Sequence, residues 1–294
     1  MTWWSARSPD ERGLDGRRGP CDTQENPWRK VCRMPFEPPG IDPAVASGPL
    51  TRDQILHLAQ GRIAAIHVRR ALAAEKCAAL ARLLDSVSLT DYDIRKYRLP
   101  AAHLGPSLNE AKVAGEIDPG YWERRDHTGK FWGESADDPR PDCLALLAAA
   151  WPYDVGPATV DGRELFWGII REINQGTVVH CDDVLKEYPP SLLDHPPVAQ
   201  LGFNLFLSAP DAGGETLVWD RRWTAEDEKH RRGIGYSRRI VGNDVPVAVT
   251  PATGDVIIFD SRNFHAVRPG RGRRRITLSF FMGLTDDERL ILWS

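Results

Sequence analysis

The chain has 294 residues, of which 41% are hydrophobic and 27% are charged, and its formal net charge is -3 at pH 7. This composition is that of a globular protein, and the small net charge excludes the electrostatic footprint of a nucleic-acid-binding protein. No apolar stretch is long enough to span a bilayer, and Met1–Arg18 carries charges where a signal peptide would be apolar. We therefore expect a cytoplasmic protein with neither nucleic-acid nor membrane partners.

The cysteines are few and scattered, and none forms a Cys-x-x-Cys pair: Cys21, Cys32, Cys77, Cys143 and Cys181. This spacing favours neither a disulfide framework nor a thiolate zinc site. We expect reduced, structural thiols.

The composition changes along the chain, and this predicts its organisation. Residues 1–47 mix Pro, Gly, Arg and Asp without a period, which predicts a poorly ordered extension. Residues 48–294 are predicted to form a single domain. Within it, residues 48–157 provide helical and loop support, and residues 158–284 form the core.

The first part of this domain alternates helical and irregular patterns. Residues 62–68 predict a strand, and residues 71–84 and 142–151 predict two helices. Between the helices, residues 86–141 are polar, aromatic and irregular. Such a segment is typical either of substrate contacts or of surface loops with docked aromatics, and the pattern does not separate the two.

After Pro157 the helical period disappears, and short apolar segments separated by Gly, Pro and Asp follow. The predicted strands lie at residues 165–173, 177–182, 200–208, 215–219, 245–250, 255–259 and 275–281. This pattern indicates a mainly β fold with flanking α-helices, of the jelly-roll type. Residues 220–243 are too polar for a core, and they predict either a lid or a solvated excursion.

Alternation assigns faces to two of these strands. In Leu201–Ser208 the odd positions are apolar and the even ones mixed, with Asn204 among them. In Arg275–Phe281 the residues Arg275 and Thr277 share a polar face, which we expect to line an interior cavity.

The most informative stretch is Val179–Asp183. On a strand, side chains two residues apart share a face, so His180 and Asp182 point to the same place. His265, far along the chain, is the natural third group. Two imidazoles and one carboxylate form the facial triad that holds iron(II), although zinc accepts the same ligands.

Arg275 decides between these metals. A guanidinium inside a barrel needs an anionic partner, because breaking a buried ion pair costs about 3 to 5 kcal/mol. A keto-dicarboxylate that chelates iron would reach Arg275 and Thr277 with its distal carboxylate. Asn204 is a further candidate for binding the co-substrate or the substrate, and a structural hydrogen bond is its alternative role.

The order of these motifs resembles the Fe(II)/2-oxoglutarate-dependent dioxygenases, over about residues 160 to 284. The motifs are His180-x-Asp182, Gly213-Gly214-Glu215-Thr216, Gly254-Asp255-Val256-Ile257-Ile258-Phe259, His265 and Arg275-x-Thr277. Their ordered arrangement is more specific than the histidine–aspartate pair alone. Within the family the chain is similar to the prolyl-4-hydroxylase-like branch and to bacterial enzymes acting on amino acids and small natural products. Collagen-type prolyl hydroxylases carry lysine at the Arg275 position.

The resemblance implies a double-stranded β-helix (cupin-like jelly roll), with iron on His180, Asp182 and His265 and 2-oxoglutarate on Arg275 and Thr277. It implies hydroxylation of a small molecule with O2 as co-substrate, releasing succinate and CO2. Related halogenases have Gly or Ala in place of the carboxylate, so Asp182 favours hydroxylation. Desaturation, epoxidation, ring formation, a cupin-like metal enzyme and a non-catalytic binding barrel remain open alternatives.

Overall fold

The structure is a computed structural model that describes residues 45–294, apart from Glu134 and Ala136. Residues 1–44 of the predicted extension, including Cys21 and Cys32, lie outside the described residues. The last residues of that extension, Val45–Ser47, form an edge strand that pairs with the strand Ala65–Val68. Among the described residues, no helix is long and apolar enough to cross a membrane.

Six α-helices lie in the described part of the chain. They are α1 (Arg52–Ala59), α2 (Ala74–Asp85), α3 (Ile94–Tyr97), α4 (Gly120–Gly133), α5 (Arg140–Ala150) and α6 (Val184–Glu187). Short 3-10 helices occupy Ala225–His230 and Arg238–Val241.

The strands lie mainly in the C-terminal half. They are β1 (Val45–Ser47), β2 (Ala65–Val68), β3 (Thr90–Asp91), β4 (Ala102–Leu104), β5 (Lys112–Val113), β6 (Glu116–Ile117), β7 (Val155–Pro157), β8 (Thr159–Val160), β9 (Arg163–Glu164), β10 (Ile169–Glu172), β11 (Pro197–Ser208), β12 (Ala212–Gly213), β13 (Thr216–Arg222), β14 (Arg231–Arg232), β15 (Gly235–Tyr236), β16 (Val247–Val249), β17 (Val256–Asp260), β18 (Asn263–Val267), β19 (Gly270–Arg271), β20 (Ile276–Thr285) and β21 (Leu290–Trp293).

Two sheets face each other. The larger has the order β1-β2-β17-β11-β20-β10-β4-β3, with β21 paired to β20 and β7 paired to β21. The smaller has the order β16-β13-β18. The prediction of a mainly β jelly roll with flanking helices is confirmed.

The helices cover the outer face of the large sheet. Leu201 and Leu205 on β11 are buried in the same apolar cluster as Leu80 and Leu84 on α2. The predicted alternation of β11 therefore places its odd positions under the helices. Its even positions face the interior, where Asn204 lines a cavity.

Three predicted elements differ in the structure. Residues 86–141, predicted to be irregular, contain the 14-residue helix α4, whose glycines at 120, 129 and 133 lower its intrinsic helix propensity. Burial of Tyr121 and Trp132 on one side of α4 offsets that cost. The predicted strand at residues 177–182 is not continuous; only isolated bridges form, at Val179 and His180. Residues 165–168 are likewise outside the strand β10.

The segment at residues 220–243 folds onto the body of the protein. It begins with the end of β13 and contains both 3-10 helices and the hairpin β14–β15. Ile240 and Val241 are buried, and the backbone nitrogen of Ile234 donates to the carbonyl oxygen of Lys96 at 3.1 Å. It is thus an ordered insertion, in contact with the segment that carries α3.

Candidate active site

Three predicted metal-binding side chains meet between the two sheets. The ligand-capable atoms of His180, Asp182 and His265 all lie within 4.8 Å of one another. The nearest Asp182 oxygen lies 3.4 Å from Nε2 of His265 and 3.8 Å from Nε2 of His180. The structure therefore brings together the three residues that the sequence singled out.

The backbone holds the two histidines side by side. His180 and His265 exchange both backbone hydrogen bonds, at 2.9 and 2.8 Å, as an antiparallel bridged pair does. Their ring centroids are 4.2 Å apart. Cys181, between the two candidate ligands, turns to the other side and packs in an apolar cluster with Trp219, as alternation predicts.

Carbonyl oxygens fix the orientation of both imidazoles. Nδ1 of His180 lies 2.8 Å from the carbonyl oxygen of Val178, and Nδ1 of His265 lies 2.9 Å from that of Asn263. A carbonyl oxygen only accepts, so each Nδ1 is the donor and carries the proton. Each Nε2 then presents a lone pair toward Asp182, which is the state that a metal ion requires.

The electrostatics of the cluster favour the same state. Burial, with the neighbouring His265, lowers the pKa of His180 to about 4, so this imidazole is neutral at pH 7. Burial works against the charge of Asp182, but its contacts with His265 and His180 lower its pKa to about 2. The site thus combines a neutral His180 with an anionic carboxylate.

A buried glutamine holds the backbone around Asp182. Nε2 of Gln200 donates to the Asp182 carbonyl oxygen at 3.0 Å and lies 3.1 Å from Ser261 Oγ. The Gln200 Oε1 accepts from the backbone nitrogen of Val184 at 2.8 Å. On the carboxylate itself, Asn109 donates to Asp182 Oδ1 at 3.3 Å. Three segments distant in sequence, which carry Asn109, Gln200 and Ser261, therefore hold Asp182 through its carboxylate and its backbone carbonyl.

Replacing Gln200 with leucine should lower iron affinity about 10- to 100-fold, because outer contacts that orient a ligand have costs of this size. Iron titration without O2 measures the effect. The matched control is Gln54→Leu, which removes a glutamine that caps α1 far from the cluster. Unchanged iron affinity in Gln200→Leu would contradict a positioning role.

Arg275 lies buried at one end of the cavity, with 2% of its surface exposed. Its Nε donates to the Gly214 carbonyl oxygen at 3.2 Å, and its Cζ lies 4.8 Å from the ring centroid of Phe206. Within the part of the chain that the structure describes, it forms no ion pair with a carboxylate. Desolvation by burial therefore lowers the pKa of Arg275 to about 10.

The Gly213-Gly214 pair explains how that carbonyl reaches Arg275. Both glycines have positive φ, at 75° and 73°. A Cβ at Gly213 would lie 2.1 Å from the carbonyl oxygen of Pro269, and one at Gly214 would lie 2.5 Å from the Pro210 side chain. Only glycine fits this turn.

The other predicted co-substrate residues form a small hydrogen-bonded row. Ser279 Oγ lies 2.8 Å from Asn204 Oδ1 and 2.9 Å from Thr277 Oγ1. Since a serine has one proton and an amide oxygen only accepts, Ser279 donates to Asn204 and accepts from Thr277. Asn204 and Ser279 line the cavity, whereas Thr277 is 1% exposed and lies behind them.

The cavity has a volume of about 200 Å³ and contains residues outside the predicted metal-binding and co-substrate sets. Tyr92 and Tyr97 come from the segment at residues 86–141, and Arg171 comes from β10. The signal that could have found Arg171 is a charged residue that directly follows the apolar pair Ile169 and Ile170 on one strand. The two tyrosines belong to the segment for which the sequence left substrate contacts open, and their position in the cavity fits that alternative.

Comparison with known proteins identifies the family. A family model described as the carrier-protein-independent halogenase WelO5 matches residues 144–294. The chain is also 37% identical, over 258 residues, to the L-gamma-glutamyl-L-propargylglycine hydroxylase of Streptantibioticus cattleyicolor, with 86% of this chain and 96% of that protein covered. The chain belongs to the Fe(II)/2-oxoglutarate-dependent dioxygenase superfamily.

Two further similarities place the dioxygenase among its relatives. It is 31% identical over 186 residues to the leucinostatins biosynthesis cluster protein S of Purpureocillium lilacinum, covering 56% of this chain and 73% of that one. An N-substituted L-amino acid dioxygenase from Burkholderia ambifaria has a similar fold, with a TM-score of 0.54, 17% identity and coverage of 83% and 91%.

The dioxygenase uses Fe(II), 2-oxoglutarate and O2, as its superfamily does. The residues fit these groups. Two imidazole nitrogens and one carboxylate form a donor set for Fe(II), and the buried guanidinium of Arg275 lacks an anion that a dicarboxylate supplies.

Proposed function

We propose that this dioxygenase hydroxylates a C–H bond of a small amino-acid derivative, with His180, Asp182 and His265 as iron ligands. The observation that carries the proposal is the intact cluster of two imidazoles and one carboxylate. Arg275 is proposed to bind the distal carboxylate of 2-oxoglutarate, and Asn204 and Thr277 to support it. Iron with 2-oxoglutarate and O2 supplies the oxidising chemistry that converts C–H to C–OH and releases succinate and CO2.

The chain's own residues set the geometry for this chemistry. His180 and His265 present Nε2 because their Nδ1 protons are held by carbonyl oxygens. Asp182 stays anionic and in place through Asn109 and Gln200. These contacts would hold a bound metal from one side and leave the cavity side for the co-substrate and the substrate.

Asp182 also supports hydroxylation over halogenation, despite the halogenase description of the matching family model. A halide ligand needs the coordination position that a carboxylate would otherwise take. Here the carboxylate of Asp182, with a pKa lowered to about 2, would take that position, and Asn109, Gln200 and Ser261 hold this residue. The relative from Streptantibioticus cattleyicolor is likewise named a hydroxylase.

The substrate class follows from that relative, which is named for a γ-glutamyl dipeptide. A cavity of about 200 Å³ suits a group of few atoms near the metal. We further propose that residues 48–294 act as one catalytic domain. A cytoplasmic location fits the free, buried thiols of Cys77, Cys143 and Cys181.

We expect the protein with Fe(II), 2-oxoglutarate and O2 to form succinate in step with a product that is heavier by one oxygen atom. The substrates are L-γ-glutamyl dipeptides with aliphatic side chains and N-acyl amino acids. Mass spectrometry with isotopically labelled O2 measures the transfer.

Other outcomes would point elsewhere. A product lighter by two hydrogens indicates desaturation or ring formation, and a chlorinated product in chloride buffer indicates halogenation. Turnover without 2-oxoglutarate would contradict the proposal in favour of a cupin-like metal enzyme. Binding of iron and 2-oxoglutarate without consumption across the panel would indicate a binding protein.

A further inference from the structure

A second arginine, Arg171, points into the same cavity. On β10 it lies directly opposite Thr277 of β20 and His103 of β4. Directly opposed residues of antiparallel strands share a face, so the Arg171 side chain is on the interior face with Thr277. Its Nε donates to the Tyr92 hydroxyl at 3.1 Å, and Arg171 lines the cavity.

Tyr92 is itself fixed, so it fixes the plane of the Arg171 guanidinium. Its ring stacks on His103 at a centroid distance of 4.3 Å and contacts Tyr97 at 4.2 Å. The Tyr92 ring is 7% exposed. The guanidinium is therefore oriented by a hydrogen bond to a packed tyrosine rather than by an ion pair with a carboxylate.

The charge of Arg171 lacks a dedicated anion. Among the described residues, no carboxylate forms an ion pair with it, and the charged groups that influence it through space include Asp182. The Asp182 carboxylate is already committed to the two histidines and to Asn109. The Glu187 carboxylate, which also lines the cavity, lies 3.9 Å from Lys112.

The side chains of Arg171 and Arg275 lie on different sides of strand β20. The Arg275 guanidinium lies over Phe206, which is on β11, one neighbour of β20. Arg171 is on β10, the other neighbour. Neighbouring strands are about 4.8 Å apart, so two strand spacings separate the backbone of Phe206 from that of Arg171.

We propose that Arg171 binds a carboxylate of the substrate, with the Tyr97 hydroxyl as a second donor, and so selects an acid over its neutral analogue. This inference rests on the proposed function. The Tyr97 hydroxyl forms no hydrogen bond to any residue in the described part of the chain, and Tyr97 lines the cavity. A planar guanidinium fork matches a carboxylate through two parallel hydrogen bonds, which a primary amide cannot accept in the same way.

The test uses L-γ-glutamyl-L-norvaline, the saturated counterpart of the substrate for which the bacterial relative is named. Two primary amides, one at each carboxylate, are its neutralised partners. Calorimetry measures binding to protein loaded with 2-oxoglutarate and with Ni(II) in place of Fe(II). Binding is thereby separated from turnover.

In the unmodified protein, we expect one of the two amides to bind about 10- to 100-fold more weakly than the acid, the range for hydrogen bonds to charged groups. Arg171→Gln should bind the acid as weakly as that amide and should keep its affinity for 2-oxoglutarate. Arg171→Lys, which keeps the charge but not the fork, should be intermediate. Arg124→Gln, which changes a surface arginine paired with Asp118, is the matched control.

Two results would overturn the inference. One is an unmodified protein that binds the acid no better than either amide, including the case in which none binds. The other is an Arg171→Gln protein that either keeps the acid affinity of the unmodified protein or loses affinity for 2-oxoglutarate; the latter would assign Arg171 to the co-substrate. Failure of the proposed function differs from both, because it appears as an absence of succinate and of oxygen transfer with every substrate of the panel.

Discussion

Replacing Asp182 with alanine is expected to lower iron affinity and hydroxylation by at least about 100-fold. Loss of an outer contact costs roughly 10- to 100-fold, and loss of a direct ligand should exceed it. The effect is large because Asp182 supplies the only anionic charge of the three-residue cluster. Iron titration without O2 and succinate formation with O2 measure the two losses.

The neighbouring aspartate provides the matched control for this prediction. Asp183 Oδ1 accepts from the backbone nitrogen of Leu185 at 3.0 Å and caps the short helix α6. Asp183→Ala should cost about 1 kcal/mol of folding stability and leave iron affinity unchanged. Asp182→Ala turning over as fast as the unmodified protein would refute the ligand assignment.

Replacing Arg275 with methionine is expected to weaken 2-oxoglutarate binding by about 100-fold or more. The proposed ion pair is buried, and removal of one partner of such a pair costs about 3 to 5 kcal/mol. Without 2-oxoglutarate, however, the substitution should not lower the free energy of unfolding. The guanidinium of Arg275 is desolvated and has no carboxylate partner among the described residues, so its removal relieves a cost.

Thermal unfolding with and without 2-oxoglutarate tests both halves of this prediction. The unmodified protein should gain stability from 2-oxoglutarate by mass action, and Arg275→Met should not. The control is Arg274→Gln, because Arg274 pairs with Glu172 at 2.6 Å and with Asp85 on the other side of the strand. If Arg275→Met instead unfolded more easily without 2-oxoglutarate, Arg275 would be structural.

The sequence predicted the centre of the site because a few positions carry most of the chemistry. The side chains of His180 and Asp182 lie on the same side of the backbone even though residues 177–182 do not form a regular strand. The reason is that His180 bridges His265 and the Asp182 nitrogen donates to the Ser261 carbonyl at 2.8 Å. Pairing with one neighbouring segment preserves the alternation on which the prediction depended.

The outer part of the site could not be predicted in the same way. Arg171 forms a hydrogen bond with Tyr92, 79 residues away in sequence, and Asn109 forms one with Asp182, 73 residues away. Contacts between side chains of distant loops leave no period in the sequence. The helix α4 was missed for a different reason. Its glycines lower the helix propensity of the sequence, and burial of Tyr121 and Trp132 against the rest of the protein stabilises the helix.

The reciprocal backbone bridge between His180 and His265 has a consequence for how the protein is loaded with metal. Both imidazoles are carried by residues that main-chain hydrogen bonds join directly, and these bonds do not involve the metal-binding atoms. Zinc fingers, by contrast, gain their fold only when the ion arrives. This enzyme is expected to keep a preformed metal-binding site. A chelator should therefore inactivate it reversibly without unfolding it.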